Sequence, residues 1–298
     1  MMCGEGRRKE AETAVWYTVV RSRDENRGWI RDTKAKYSEG QTHQPETYVE
    51  ILKSCPNIRS VKINLVHEDP ARLNCDLEIA RAIAALPRLR SLTLVSSTTS
   101  KEVLLRELCA PLRTFALWGR TKEKRVYHPA ALEAFLPGVA SNLEKLEIGE
   151  FAVDPEQIQT WGVASTSVFT LTQYPTVRSL SLLLYGAPLL DHLQHLFPAL
   201  DGTLYFRPDP FRDNVPLAHH ASVRAANQCT QECSRSQPWK KLDRIVCEPL
   251  MLYLLGLRCP VRHATLDARD ISLEPYAVDA LRENPVPRLK LSLRQSEL

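Results

Sequence analysis

The chain has 298 residues, of which 44% are hydrophobic and 25% charged, so it contains enough apolar material for a large buried core. Its net charge of +4 is too small an excess to indicate a nucleic-acid or membrane partner by itself. The longest apolar stretch, near Pro249–Leu257, is far shorter than the roughly 20 residues of a membrane span, which excludes the class of helical membrane proteins.

Residues 1–44 form a polar N-terminal segment. Sixteen of its first 40 residues are charged and it contains no leucine. This composition predicts a weakly ordered segment, because too little apolar surface is available to bury. One β-branched and aromatic run, Val15–Val20, predicts a short strand that caps the structure beginning after it.

From residue 45 onward a short sequence motif recurs. It reads proline, any residue, an apolar residue, Arg-Ser, an apolar residue, any residue and an apolar residue. It is clearest at residues 55–63, 86–94 and 174–182, and weaker copies lie at 111–117, 142–148, 198–206, 238–247, 260–266 and 287–293. The intervals between copies are 31, 23, 31, 34, 23, 42, 19 and 28 residues, most of them near the period of leucine-rich repeats. The first apolar residues of the copies are Ile58, Leu89, Leu112, Leu143, Val177, Leu200, Leu242, Val261 and Leu289.

The end of each copy has the alternation of a β-strand, and the proline before it stops a preceding helix. Helix-like stretches separate the copies. Strands that alternate with helices over short links predict an α/β fold, here an irregular leucine-rich-repeat-like solenoid over residues 45–298. Its parallel strands would lie on the concave face and its helices on the convex face. The alternative is an ordinary doubly wound α/β domain, whose strands do not require a recurring sequence motif. The predicted helices are Pro45–Lys53, Asp76–Leu86, Ser100–Leu108, Pro129–Leu136, Pro188–Phe197, Ala218–Gln228 and Pro275–Glu283.

Two of these copies, Cys-Pro-Asn-Ile-Arg-Ser-Val (55–61) and Leu-Pro-Arg-Leu-Arg-Ser-Leu-Thr-Leu (86–94), resemble the irregular leucine-rich repeats of fungal F-box proteins, as do residues 254–263 and 281–289. The resemblance covers residues 45–293. It implies a substrate receptor that recruits a target protein to a cullin-type ubiquitin ligase through a Skp-type adaptor. The family's F-box text is not found in residues 1–44, so either the F-box was lost or truncated or the repeats act without one. The asparagine that follows the strand in regular repeats is also missing, since Val66 and Ser97 stand there.

The strand alternation also predicts which side chains would meet a partner. If Val61 and Ile63 face the helices, the residues between them point to the concave surface. Trp118 stands out there as an anchor for a protein partner, and its alternative is burial under segment 120–128. The predicted partner-binding residues are Lys62, Asn64, Thr93, Trp118, Lys145, Glu147, Ser181, Arg244 and Thr265.

Arginines recur in phase with the copies and give a second hypothesis, a nucleic-acid-binding solenoid with a basic stripe. The favoured interpretation is that they lie at the turn before each strand, solvated or paired with carboxylates, because acidic residues are nearly as numerous as basic ones. Nucleic acid is therefore the less favoured partner. The phased residues are Arg59, Arg90, Arg113, Arg178 and Arg262.

Two histidine groups give a third hypothesis, a zinc-binding protein. His192 and His195 share one helical face, but no cysteine or carboxylate nearby completes a set of metal ligands. We therefore favour solvated histidines over a metal site. The better set is His219 and His220 with Cys229 and Cys233, although its order is inverted relative to zinc fingers. We favour no metal and no cofactor.

The sequence contains no catalytic motif such as Gly-x-Ser-x-Gly, a phosphate-binding Gly-x4-Gly-Lys or His-Glu-x-x-His. We therefore expect that the protein is not an enzyme. The eight cysteines are scattered, and the N-terminus lacks the apolar region of a secretory signal. Five of the cysteines lie in apolar or pre-proline settings typical of buried, reduced thiols, so we expect a cytoplasmic or nuclear protein. These five are Cys55, Cys75, Cys109, Cys247 and Cys259.

Overall fold

The structure is a computed structural model of the chain, and it describes residues 17–23, 30–36, 45–65, 70–96, 100–118, 129–136, 139, 141–152, 171–207, 216–232, 238–268 and 274–293. Eleven strands and eight α-helices lie in these residues. The strands are β1 Tyr17–Arg23, β2 Ile30–Lys36, β3 Ile58–Leu65, β4 Ser91–Ser96, β5 Thr114–Trp118, β6 Lys145–Ala152, β7 Ser179–Tyr185, β8 Thr203–Phe206, β9 Leu242–Cys247, β10 Val261–Ala268 and β11 Arg288–Leu293. The helices are α1 Pro45–Ser54, α2 Pro70–Ala84, α3 Ser100–Glu107, α4 Pro129–Phe135, α5 Leu190–Leu196, α6 His220–Glu232, α7 Pro249–Leu255 and α8 Glu274–Glu283.

All eleven described strands form one sheet, in the order β11-β10-β9-β8-β7-β6-β5-β4-β3-β1-β2. Strands β3 to β11 are parallel and follow the chain order, so each copy of the recurring text contributes one strand next to its predecessor. The prediction of an α/β fold with parallel strands is confirmed. A doubly wound sheet reverses its strand order at a switch point. Strands β3 to β11 show no such reversal.

One face of the sheet packs against the helices. Val61 and Ile63 are 1% and 4% exposed, which confirms the predicted alternation, and the equivalent residues of β4 to β10 join them in one apolar core. Helix residues such as Ile83 and Leu193 belong to the same core, because right-handed crossovers place successive helices on the same side of a parallel sheet. The opposite face is covered by no described helix, and we call it the helix-free face.

The sequence did not predict α7. Its leucines Leu250, Leu252, Leu254 and Leu255 are all buried, so the segment has no polar stripe by which an amphipathic helix is found. Pro249 at the first helical position and Gly256 with φ of 51° after the last were the remaining signals of its two ends. Helix α2 also begins at Pro70, earlier than the predicted Asp76.

The last copy is shifted by three residues from its prediction. Leu289, expected at the first apolar position, pairs with Ala264 at the second, and Val286 takes the earlier place. Leu289 and Leu291 are 45% and 55% exposed, whereas equivalent residues in earlier strands are buried. The reason is that β11 is the last strand of the described sheet, so no further unit packs on it.

The predicted capping run Val15–Val20 overlaps β1. This strand lies antiparallel beside β3, with Val20 opposite Val61, and β2 pairs with its other edge. The sequence predicted one strand in residues 1–44. Strand β2 was missed because its sequence alternates charged residues and contains few β-branched or aromatic ones.

The residue after the first apolar residue of each copy occupies what we call the phased position. Its backbone joins neighbouring copies: the N–H of Arg90 donates to the carbonyl of Arg59 at 2.8 Å, and the N–H of Arg113 donates to that of Arg90 at 2.8 Å. Acidic residues hold this position in three other copies. The resulting ion pairs between neighbouring copies are Arg113–Glu144 at 3.5 Å, Arg178–Asp201 and Arg262–Asp243 at 3.4 Å.

Replacing Asp201 by asparagine is expected to lower the free energy of unfolding at pH 7 by less than about 1 kcal/mol, because Arg178 is 65% exposed and its charge is screened. The hydrogen bond from Arg178 holds the pKa of Asp201 below its ordinary value. The ionised carboxylate therefore stabilises the fold above the unfolded pKa near about 4, and that contribution is lost as the pH falls through the lowered pKa. Urea titrations at several pH values should show the difference from the wild type shrinking below about pH 4. A difference independent of pH would contradict it.

Candidate interaction face

The parallel register places the predicted residues in rows across the helix-free face. The middle row contains Lys62, Thr93, Ala116, Glu147, Ser181, Tyr205, Val246, Thr265 and Lys290. Lys145 and Arg244 lie in the next row toward the strand starts, and Asn64 and Trp118 lie in the next row toward the strand ends. All nine predicted residues therefore occupy strand positions on the helix-free face.

The nine residues differ in how far they reach solvent. Ser181 is only 6% exposed, so it is less accessible than a direct partner contact requires. The side chain of Asn64 lies outside the described part. Exposed members are Lys62, Lys145 and Arg244, and half-buried ones are Thr93, Trp118, Glu147 and Thr265. The alternative for Trp118, burial under segment 120–128, also concerns residues outside the described part.

The middle of this face is organised by Arg207, which directly follows β8. Its guanidinium carbon lies 3.8 Å from the centre of the Trp118 ring and 5.5 Å from that of Tyr205. Its Nε donates to the Ser181 hydroxyl at 3.4 Å, and its Nη2 lies 3.5 Å from Oε2 of Glu147. We call these five residues the Arg207 cluster, and its cover over Ser181 explains why that serine is buried.

Glu147 ties the Arg207 cluster to the neighbouring row. Its Oε1 lies 2.7 Å from Nζ of Lys145, while its Oε2 faces Arg207, and its side chain is 19% exposed. One carboxylate between two cations leaves this site with a net positive charge. A cation stacked on an indole contributes about 0.5–2 kcal/mol of stabilisation. The Arg207 cluster therefore fixes the side chains of Arg207 and Trp118 before any partner binds.

Gly149 on β6 makes room for the indole of Trp118. A Cβ atom added at Gly149 would lie 2.6 Å from Cε3 of Trp118, closer than real side chains approach. The backbone of Gly149 does not adopt the left-handed conformation, so the space, and not its conformational freedom, is what the glycine provides.

Replacing Gly149 by alanine is expected to lower the free energy of unfolding by about 1–3 kcal/mol, because the indole must tilt away from the new methyl group and from Arg207. Urea unfolding measures this cost in the wild-type background and again in Trp118→Ala. The cost should largely disappear in Trp118→Ala, where no indole remains to be displaced. An equal cost in both backgrounds would show that Gly149 does not support Trp118.

The sequence missed three residues of this site: Tyr205, Arg207 and Gly149. In the copy at 198–206 the two buried positions Leu200 and Leu204 are four residues apart, where the other aligned copies have three. This extra residue obscures the alignment that would have placed Tyr205 in the row of Glu147 and Ser181. Gly149 carried no signal, since its role depends on the neighbouring strand.

In the part of the chain that the structure describes, the histidines do not form either of the candidate metal sets. His192 is fully buried among the leucines of α5, so the prediction of a solvated histidine is wrong at this position. Nδ1 of His220 lies 3.0 Å from the hydroxyl of Tyr276, while Cys229 is exposed and about 14 Å further along α6 by helical rise. Cys233 lies outside the described residues. Among the described residues, no group of three or more potential ligands converges on a metal position.

The five described cysteines, Cys55, Cys109, Cys229, Cys247 and Cys259, differ in burial, and Cys55 and Cys259 are half-buried. Cys247 is buried, and burial raises the pKa of its thiol, while burial raises the pKa of Cys259 to about 11. Cys109 is exposed, so the expectation that it is buried is wrong; it lies in the open segment between α3 and β5.

A groove of about 820 Å³ runs along the starts of β8 to β11, beside the phased positions. Among the residues that line it are Gly202, Lys241, Asp243, Arg262 and Pro287. Each of these lies just before or at the beginning of a strand, so the groove lies along the edge of the sheet at which the strands start.

The helices of the described part are all too short or too polar to cross a membrane. No protein-family model matches the chain. No curated protein matches it either.

Proposed function

We propose that the chain is a leucine-rich-repeat-like solenoid that recognises a partner protein on its helix-free face, which corresponds to the concave face of such a solenoid. The observation that carries the proposal is the Arg207 cluster, an aromatic and charged group assembled from four neighbouring strands in the middle of the helix-free face. Tryptophan, tyrosine and arginine held in a rigid arrangement are the residues that most often dominate protein interfaces.

We further propose that this recognition serves an F-box-type receptor, which recruits its target to a cullin-type ubiquitin ligase. The copied text that resembles the repeats of fungal F-box proteins supports this proposal, since each copy falls on one strand of the parallel sheet. In this arrangement the repeat region holds the target and a separate surface contacts a Skp-type adaptor.

The adaptor is tested with purified components. The full chain is mixed with a purified Skp-type adaptor, with an F-box protein of known adaptor binding as the positive control, and the mixture is run on a sizing column. Co-elution supports ubiquitin-ligase recruitment. Separate elution of a folded chain removes the ligase role and leaves protein recognition alone.

The recognition face is tested by comparing which proteins three forms of the chain retain from a lysate: the wild type, Trp118→Ala with Arg207→Ala, and Arg81→Ala with Arg106→Ala. Arg81 and Arg106 are exposed on α2 and α3, away from the face. We expect a specific target to be lost from the face variant alone. Targets retained equally by all three forms would contradict the proposed face.

The nucleic-acid hypothesis keeps one supporting observation, the excess of basic residues on the helix-free face. The phased arginines support it less, because three of the five pair with carboxylates. Binding of single-stranded DNA that weakens steeply with added salt would favour this function. The zinc hypothesis is tested by elemental analysis, and stoichiometric zinc in the purified chain would favour it.

A further inference from the structure

Four basic side chains of the helix-free face lie on the neighbouring strands β9, β10 and β11. Arg244, His263 and Arg288 stand side by side in one row, and Lys290 follows Arg288 in the next. We call these four residues the basic patch. Arg244, Arg288 and Lys290 are exposed, so their charges face solvent.

The basic patch differs from the phased arginines in its electrostatic partners. Arg178 and Arg262 are neutralised by aspartates of neighbouring copies, whereas no carboxylate of the described residues forms an ion pair with Arg244, Arg288 or Lys290. The acidic groups near the patch are Asp243 and Asp267. The carboxylate of Asp243 pairs with Arg262 and also lies 3.9 Å from Nδ1 of His263, whereas Asp267 lies nearer the strand ends. The patch therefore keeps an uncompensated positive charge.

His263 holds the row together. Its Nδ1 lies 3.1 Å from the carbonyl oxygen of Asp243, and its Nε2 lies 3.2 Å from Nη1 of Arg288. The tautomer consistent with both contacts donates from Nδ1 and accepts at Nε2. Arg288 is thereby positioned over β10, with further N–H groups able to reach an anionic partner.

We propose that the basic patch binds an acidic, extended segment of the partner protein; this inference rests on the proposed recognition function. Charge complementarity identifies the acidic character of the segment. Arg244 and Arg288 are two strands apart, which is about 10 Å. On an extended segment in the polyproline II conformation, side chains three residues apart lie on the same face and are separated by about 9 Å. The preferred segment therefore repeats an acidic residue at every third position.

A peptide fits the basic patch better than a nucleic acid does. Single-stranded nucleic acids need aromatic platforms for their bases, and the described residues of β9 to β11 place no Phe, Tyr or Trp on this face.

The test uses fluorescence anisotropy with three labelled probes: a nonapeptide with glutamate at every third position among serines, the same peptide with glutamine for glutamate, and nine-nucleotide oligo-dT. The face variant combines Arg244→Gln, Arg288→Gln and Lys290→Gln. The matched control combines Lys53→Gln, Arg81→Gln and Arg106→Gln, which removes the same charge from exposed helix positions.

We expect the wild type to bind the glutamate peptide at least tenfold more tightly than the glutamine peptide. The face variant should lose at least tenfold in affinity and the control less than twofold. Equal weakening in both variants, no binding of the glutamate peptide, or tighter binding of oligo-dT lost in the face variant would each overturn the inference. If the peptide fails while Trp118→Ala with Arg207→Ala still loses its target, recognition stands and only the acidic partner is wrong.

Discussion

Replacing Asn227 by leucine is expected to lower the free energy of unfolding by about 3–6 kcal/mol, the largest effect of any polar substitution described here. Asn227 lies on α6 and is 3% exposed. Its Nδ2 donates to the carbonyls of Pro188 at 2.7 Å and Leu254 at 2.8 Å, and its Oδ1 accepts from the N–H of Leu190 at 2.9 Å. Leucine fills a similar volume but leaves three buried backbone groups without this partner.

The three contacts of Asn227 connect the start of α5 with the end of α7, so one amide stabilises three successive helical segments. Gln231 and Asn284 extend the same device: the amide of Gln231 donates to the carbonyl of Gly256 at 2.9 Å, and that of Asn284 donates to the carbonyl of Cys259 at 2.9 Å. Side-chain amides in or directly after the helices thus satisfy backbone carbonyls of neighbouring segments.

Two further variants separate the hydrogen bonds of Asn227 from its volume. Asn227→Asp retains the acceptor for Leu190 but faces two carbonyl oxygens with a carboxylate, so it should destabilise at least as strongly as leucine. Gln228→Leu is the control, because its amide reaches only Glu283 at the surface, and we expect a change within about 0.5 kcal/mol. Urea unfolding measures all three. A loss below about 1 kcal/mol for Asn227→Leu would show that water replaces the amide.

The strands could be predicted from the sequence because the recurring motif indicates both where each strand lies and which of its side chains face the helices. Val61 and Leu92 are buried and paired across neighbouring strands, as the alternation required. The helices were harder to predict from the sequence. Helix α7 is apolar on every side, and Asn227 looks like an ordinary residue in the middle of a polar helix. Its importance comes from contacts 37 and 39 residues distant, which no local pattern contains.

The candidate site shows the same division. Trp118, Lys145 and Glu147 were predicted because each lies at a regular position within its own copy. Arg207 was missed because it follows its strand and reaches back over another one, so its role is set by side-chain length and by neighbours that the sequence does not place. The basic patch was found only in part: Arg244 was predicted, but the shifted register of the last copy concealed Arg288 and Lys290.

Replacing Trp239 by alanine is expected to lower the free energy of unfolding by about 3–5 kcal/mol, because the indole is 2% exposed and belongs to the main core. Trp239 lies just before β9, and its Nε1 donates to the carbonyl of Phe197 at 2.9 Å, at the end of α5. This contact joins the segment that leads into β8 to the segment that leads into β9.

Trp239→Phe keeps most of the apolar volume and removes the hydrogen-bond donor, so we expect a smaller loss of about 1–3 kcal/mol. Trp118→Ala is the matched control, since it removes the same indole from the helix-free face, where the ring is half-buried. It should cost clearly less stability than Trp239→Ala while abolishing target binding. Urea unfolding and target capture on the same variants separate the two roles. If Trp118→Ala proves as destabilising as Trp239→Ala, its indole is a core residue and the centre of the recognition face must lie elsewhere.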